Sequence, residues 1–160
     1  MTALELTQQA YHRLVKNIYK SFDKIIAAMP TEKMGTKPSP ENMSFAQVAL
    51  HVYQTALMVA RAIKTGCMNK EDMYLIATPK EITPAAILDY GAQVKQHLEQ
   101  AIDSLSQEEA QKAIPTPFGM AMTPLRLLQV LQEEAIHHRG QLTVYLRLQG
   151  IKPPSIYDYS

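Results

Sequence analysis

The chain has 160 residues, 46% of them apolar, and a formal net charge of +1. That suits one domain spanning residues 1–160 with a sizeable core, and the scattered lysines and arginines argue against a nucleic-acid surface. No apolar run approaches the ~20 residues of a membrane span, the start Met1-Thr2-Ala3-Leu4 lacks the basic-then-apolar pattern of a secretory leader, and a single cysteine, Cys67, rules out an intrachain disulfide framework. A soluble, cytoplasmic protein is expected.

In chain order, the first segment runs from about Leu4 to Met29. Leu14, Ile18, Phe22, Ile25 and Ile26 recur at helical spacing, and Pro30 ends the run. Thr31 to Met43 holds Gly35, Pro38, Ser39 and Pro40 and reads as a loop. Ser44 opens the second helix, with Gln47 completing a capping box. Val48, Val52, Ala56, Val59 and Ile63 form its core face to about Lys64, and Gly66 follows as a C-terminal cap. Cys67 to Ile82 has no sustained period; a short helical turn near Glu71 to Ile76 fits.

Thr83 and Pro84 form an N-cap and first-turn pair. The third helix then runs to Ser104 with Ile87, Leu88, Val94, Leu98 and Ile102 on its core face. The connection to Met122 carries Pro115, Pro117 and Gly119, with extended chain expected within Ile114 to Met122. Thr123 and Pro124 repeat the start signal, and the fourth helix runs to Gln149, closed by Gly150. Pro153-Pro154 keeps the tail from extending it. Four amphipathic helices with no strand pattern predict an all-α four-helix bundle with long connections between helices.

The chemistry concentrates in Glu134-Ala135-Ile136-His137-His138-Arg139-Gly140-Gln141. Residues four apart share a helix face, so Glu134 and His138 project side by side. Both fall on or beside the stripe formed by Leu127, Leu128, Leu131, Ala135, Leu142, Tyr145 and Leu146. A carboxylate entering a core needs compensation, from an ion pair or from a metal ion. The i, i+4 spacing is one that lets two helix residues chelate a cation. Of the five histidines, His12 and His97 sit among polar neighbours. His51, amid Val48 and Val52, is the candidate to reach across the bundle, giving a two-histidine, one-carboxylate set that leaves coordination positions open. His137 points about 100° from His138 and is expected beside the site or exposed. Gln141 is placed to hold a ligand or a water. Arg139 is expected to pair with an acid or cap a bundle contact, Gly140 to permit close helix packing, and Cys67 to be inert.

These residues carry a resemblance. His137-His138-Arg139-Gly140-Gln141-Leu142, followed by Tyr145-Leu146-Arg147, Gly150 and Pro153-Pro154, resembles the C-terminal signature of the DinB-like family, whose superfamily also takes in YfiT-like metal-dependent hydrolases. Pro38-Ser39-Pro40, Ser44-Phe45 and His51 are similar to the family's first ligand segment. The resemblance spans the chain and implies a four-helix bundle holding a divalent ion, Zn or Ni first and Fe or Mn next. The usual H-x-x-x-H-R-G-Q pattern departs here at Glu134, which stands where the first histidine is usual. That leaves two outcomes open, a site with altered metal preference or a structural polar cluster.

The resemblance also implies metal-dependent chemistry on a small molecule, as a thiol S-transferase using a low-molecular-weight thiol or as a hydrolase. The alternatives are a stress-associated, non-enzymatic bundle, or a protein that only binds metal or small molecules. A homodimer is implied, with the first segment and the tail residues Ile156, Tyr157 and Tyr159 as a candidate surface.

Overall fold

Every long helix begins where a side chain replaces the missing intrahelical acceptor. Thr2, Ser44, Thr83 and Thr123 each accept from the backbone N–H three residues on, and Thr2 and Ser44 complete reciprocal capping boxes with Glu5 and Gln47. The computed structural model describes residues 1–158. It contains α1 (Ala3–Arg13), a π-helical stretch (Leu14–Tyr19), α2 (Lys20–Ala27), α3 (Phe45–Thr65), α4 (Pro84–Asp103), α5 (Gln107–Gln111) and α6 (Pro124–Leu148). Short 3-10 turns cover Thr31–Lys33 and Lys70–Tyr74, and two-residue strands β1 (Ile114–Pro115) and β2 (Ala121–Met122) pair antiparallel.

α1, the π stretch and α2 run end to end as one rod, which packs with α3, α4 and α6 to make the all-α bundle. The core faces read from the sequence are the faces buried. Val48, Val52, Ala56 and Val59 on α3, and Leu127, Leu128, Leu131, Ala135, Leu142 and Leu146 on α6, are essentially inaccessible. Gly66 ends α3 in the left-handed conformation at φ 76° and donates to the Ala62 carbonyl.

Two features differ from the sequence reading. The first segment is not uniform α-helix. A π-helical turn inserts an extra residue and advances the helix face by about 100°. Ile18 and Tyr19 are thereby both buried, where a plain 3.6-residue period selects only Ile18. The second difference is α5, a five-residue helix within the span read as connection, capped by Ser106 and Glu109. It is too short to show a period. The extended chain expected near Ile114 is the β1–β2 hairpin, tethered by Met68 N–H to the Pro115 carbonyl.

Two polar knots cross the bundle. Asp23 on α2 accepts from the Tyr53 hydroxyl of α3 and from the Lys95 ammonium of α4. Tyr53 is fully buried, and burial followed by the Asp23 charge pushes its phenol well above its ordinary pKa. Gly91 on α4 admits this ring, since a Cβ there would lie 2.5 Å from Tyr53 Cζ. Arg139 forms the other knot. It is buried and donates to Ser21 Oγ at 2.8 Å and to the Ile156 carbonyl at 3.3 Å. Of the two roles expected for Arg139, it takes the bundle contact; the partners are a hydroxyl and a carbonyl, not an acid. Gly140 does not permit close packing either. It is exposed, and a Cβ there meets nothing within 4 Å. The glycine that makes room between helices is Gly91.

Candidate metal centre

His51 comes from the middle of α3, and Glu134 and His138 from adjacent turns of α6, the helix that packs alongside. The structure brings the three together, with one donor atom from each lying within 4.8 Å of the others. Glu134 Oε2 is the shared point, 3.4 Å from His51 Nε2 and 3.3 Å from His138 Nε2. The two rings meet edge to face with centroids 5.2 Å apart. His138 is buried, while His51 and Glu134 are about one-third exposed at 34% and 36%.

Two kinds of contact fall near these separations. A carboxylate hydrogen-bonded to an imidazolium sits at about 2.7–2.9 Å. Two atoms bound to one cation at about 2.0–2.2 Å, at tetrahedral or octahedral angles, sit about 3.0–3.5 Å apart. Both Glu134 contacts fall in the second range.

The hydrogen-bond relay behind His138 fixes its proton. The Tyr145 hydroxyl donates to the Met43 carbonyl at 2.8 Å. With its one proton spent, the Tyr145 oxygen accepts from Gln141 Nε2 at 3.2 Å. That orients the amide with Oε1 toward His138 Nδ1, 2.8 Å away. An amide oxygen only accepts, so Nδ1 carries a proton. In the neutral ring Nε2 is then a bare lone pair, turned toward the Glu134 carboxylate. Two electron-rich atoms at 3.3 Å require a positive charge, either a second ring proton or a metal ion. Gln141, expected to hold a ligand, therefore holds His138 through its ring. Holding a metal-binding imidazole by its other nitrogen is a recurrent device of metal sites.

His137 lies outside the cluster. It is exposed, and its ring stacks edge-on against His138 with centroids 4.8 Å apart. His12 and His97 are likewise exposed. Cys67 is an exposed free thiol. The sequence reading did not include Tyr145 and Met43 in the relay. Tyr145 at i+4 from Gln141 was a legible signal; Met43, in the loop before α3, was not.

One side of the cluster borders a cavity of about 220 Å³ that has His51 and Glu134 in its wall. Its other walls are mostly apolar, from α3, α6, the 3-10 turn at Lys70–Tyr74 and the β1–β2 hairpin, with the Thr55 and Thr116 hydroxyls among them. No helix among the described residues is long and apolar enough to cross a membrane.

Comparison with known proteins agrees with this architecture. The sequence model of the DinB family matches residues 7–160. The chain is 28% identical over 123 residues to the uncharacterized protein YjoA of Bacillus subtilis, covering 71% of this chain and 72% of that protein. The crystal structure of the DinB-like YjoA superposes with a TM-score of 0.73 at 20% identity, covering 94% of this chain and 98% of that one. A DinB-like protein of Bacillus cereus gives 0.71 at 23% identity, covering 92% and 95%.

Proposed function

The chain belongs to the DinB family, and we propose that it is a divalent-metal-dependent enzyme of that family whose ion is held by His51 Nε2, Glu134 Oε2 and His138 Nε2. One observation carries the reading. The Gln141 relay puts the ring proton of His138 on Nδ1 and turns Nε2 toward the Glu134 carboxylate at 3.3 Å, a pair that a cation reconciles. Zn and Ni are the expected ions on the family resemblance, with Fe and Mn next; two imidazoles and one carboxylate can hold any of them.

When bound, such an ion supplies Lewis acidity that brings the pKa of a coordinated water or thiol toward neutrality. Glu134 contributes the one negative charge of the set. Gln141 and Tyr145 lock the His138 ring, so that little reorganisation accompanies metal uptake. The apolar wall beyond His51 and Glu134 limits access of bulk water to the reacting face. Thiol S-transfer ranks ahead of hydrolysis, on the family resemblance.

The test is the metal content of the purified protein, measured alongside His51→Ala and His138→Ala. About one divalent ion per chain, lost in both variants, is the expected result. A native protein with only traces of metal, unchanged by either substitution, removes the proposal.

A second reading, a non-enzymatic homodimeric bundle, draws on a different observation. Ile136, Val144 and Leu148 are exposed along the outer face of α6, on either side of Gly140. The surface suggested earlier on the first segment and tail offers Tyr157, which is exposed, while Tyr159 lies outside the described residues. Light scattering of the native chain and of Val144→Lys decides. A dimer that Val144→Lys dissociates, in a protein free of metal, favours this reading; a metal-loaded monomer removes it.

A further inference from the structure

The cavity beside His51 and Glu134 has a specific chemistry. Four of the chain's nine methionines, Met58, Met68, Met73 and Met122, line it together with Leu127 and Val130. Methionine is flexible and polarizable, and it packs well against aromatic rings. Two hydroxyls also reach the wall, but each has its one proton engaged. Thr55 Oγ1 donates to the His51 carbonyl at 2.9 Å, and Thr116 Oγ1 donates to the Met120 carbonyl at 2.6 Å. No lysine, arginine, asparagine or glutamine is among the described lining residues. Lys70 Nζ sits over the ring of Phe118, a lining residue, 5.5 Å from its centre.

We propose that this cavity holds the body of a small uncharged aromatic or alkyl substrate, whose single polar head meets His51 and Glu134. A charged or multiply hydroxylated body would lose its hydration inside and find no partner there, at a cost of a few kcal/mol per group. An apolar cavity of about 150 Å³ takes benzene. This one, at about 220 Å³, accommodates one ring with a short chain. The polar end is where the wall carries its ionisable side chains, which sets the orientation: apolar body toward the methionines, head toward His51 and Glu134. The assignment of the head rests on the metal reading above; the assignment of the body does not.

The experiment separates the two. Metal-free, full-length protein labelled with ¹³C at the methionine methyls is titrated with toluene. The expected result is saturable shifts confined to Met58, Met68, Met73 and Met122, with toluene affinity at least tenfold weaker in Val130→Trp, where an indole occupies the wall. Met73→Glu is the second variant, expected to weaken toluene binding at least as much. Shifts absent, or spread over the remaining methionines, overturn the proposal. So does affinity unchanged in a folded Val130→Trp or Met73→Glu. With zinc restored, benzyl mercaptan is expected to bind at least tenfold more tightly than 2-mercaptoethanesulfonate, read from the same methyls. Equal or tighter binding of the charged thiol at those methyls overturns the proposal. If zinc leaves benzyl mercaptan affinity unchanged while the toluene result holds, the metal reading has failed and the apolar body site stands.

Discussion

Two carboxylates tie the helices of this bundle, and their surroundings are opposites. Asp23 is fully partnered. It accepts from an ammonium and a phenol, Lys95 balances its charge, and the phenol ring is fixed against Gly91. Glu134 is open and incomplete. Its neighbours are two imidazole nitrogens at 3.3 and 3.4 Å, one of them on a ring whose other nitrogen the Gln141 relay holds, and a mostly apolar cavity lies beside it. The difference teaches how to tell a structural ion pair from a ligand set. In the first, every donor already has its acceptor; in the second, three possible ligand atoms lie within 4.8 Å of one another.

The largest test of this contrast is to alter the open carboxylate. Glu134→Gln removes the charge while keeping the shape, and metal affinity is expected to fall more than about 100-fold, beyond what loss of a supporting partner does. Glu134→His restores the three-histidine pattern and is expected to keep the ion. Competition with a metal-sensitive dye measures both. If Glu134→Gln binds metal as well as the native chain, Glu134 is not a ligand.

On the closed side, Asp23→Asn should leave metal content untouched and lower stability by about 1.5–3 kcal/mol, the worth of hydrogen bonds to a charged group. Denaturant unfolding with parallel metal analysis checks this. The same cluster carries a pH dependence. The folded chain holds Tyr53 neutral with its pKa raised above the ordinary 10.0, so the unfolded chain loses that proton first. Stability is therefore fully present below about pH 10 and falls above it. Tyr53→Phe is expected to flatten that fall in unfolding midpoints measured from pH 9 to 11.5.

Gln141→Ala sharpens the comparison from behind His138. Freed of its acceptor, the ring loses its fixed tautomer, and metal affinity is expected to drop about 10–100-fold with little change in fold. Isothermal titration with zinc reads this; an unchanged affinity would make the relay incidental. The two helical glycines give the smaller effects, with opposite signs. Gly91→Ala drives a methyl to within 2.5 Å of the pinned Tyr53 ring and should cost about 1–3 kcal/mol. Gly140→Ala meets open space in a helix interior and should stabilise by about 0.5–1 kcal/mol. Thermal melts of the pair decide whether Gly140 is there for packing.

What was legible follows from the range of the interactions. The caps at Ser44, Thr83 and Thr123 and the core stripes of α3 and α6 are local patterns, and they appear in the structure as read. Glu134 and His138 share a helix, so their juxtaposition is a matter of spacing. His51 needed only the correct face of α3. The π turn at Leu14–Tyr19 carried no signal, because one inserted residue blurs a period without announcing itself. The Asp23–Tyr53–Lys95 knot depends on the mutual rotation of three helices. The Met43 carbonyl enters the relay through the path of a loop. Gly91 and Gly140 look alike in sequence, and only packing distinguishes them.

The most direct measurement is a crystal structure of the protein grown with excess zinc, with anomalous data collected at the zinc edge. One peak is expected, about 2.0–2.2 Å from His51 Nε2, Glu134 Oε2 and His138 Nε2. No peak there, with Glu134 drawn to about 2.8 Å from a doubly protonated His138, would contradict the account and make the cluster an ion pair like the one at Asp23.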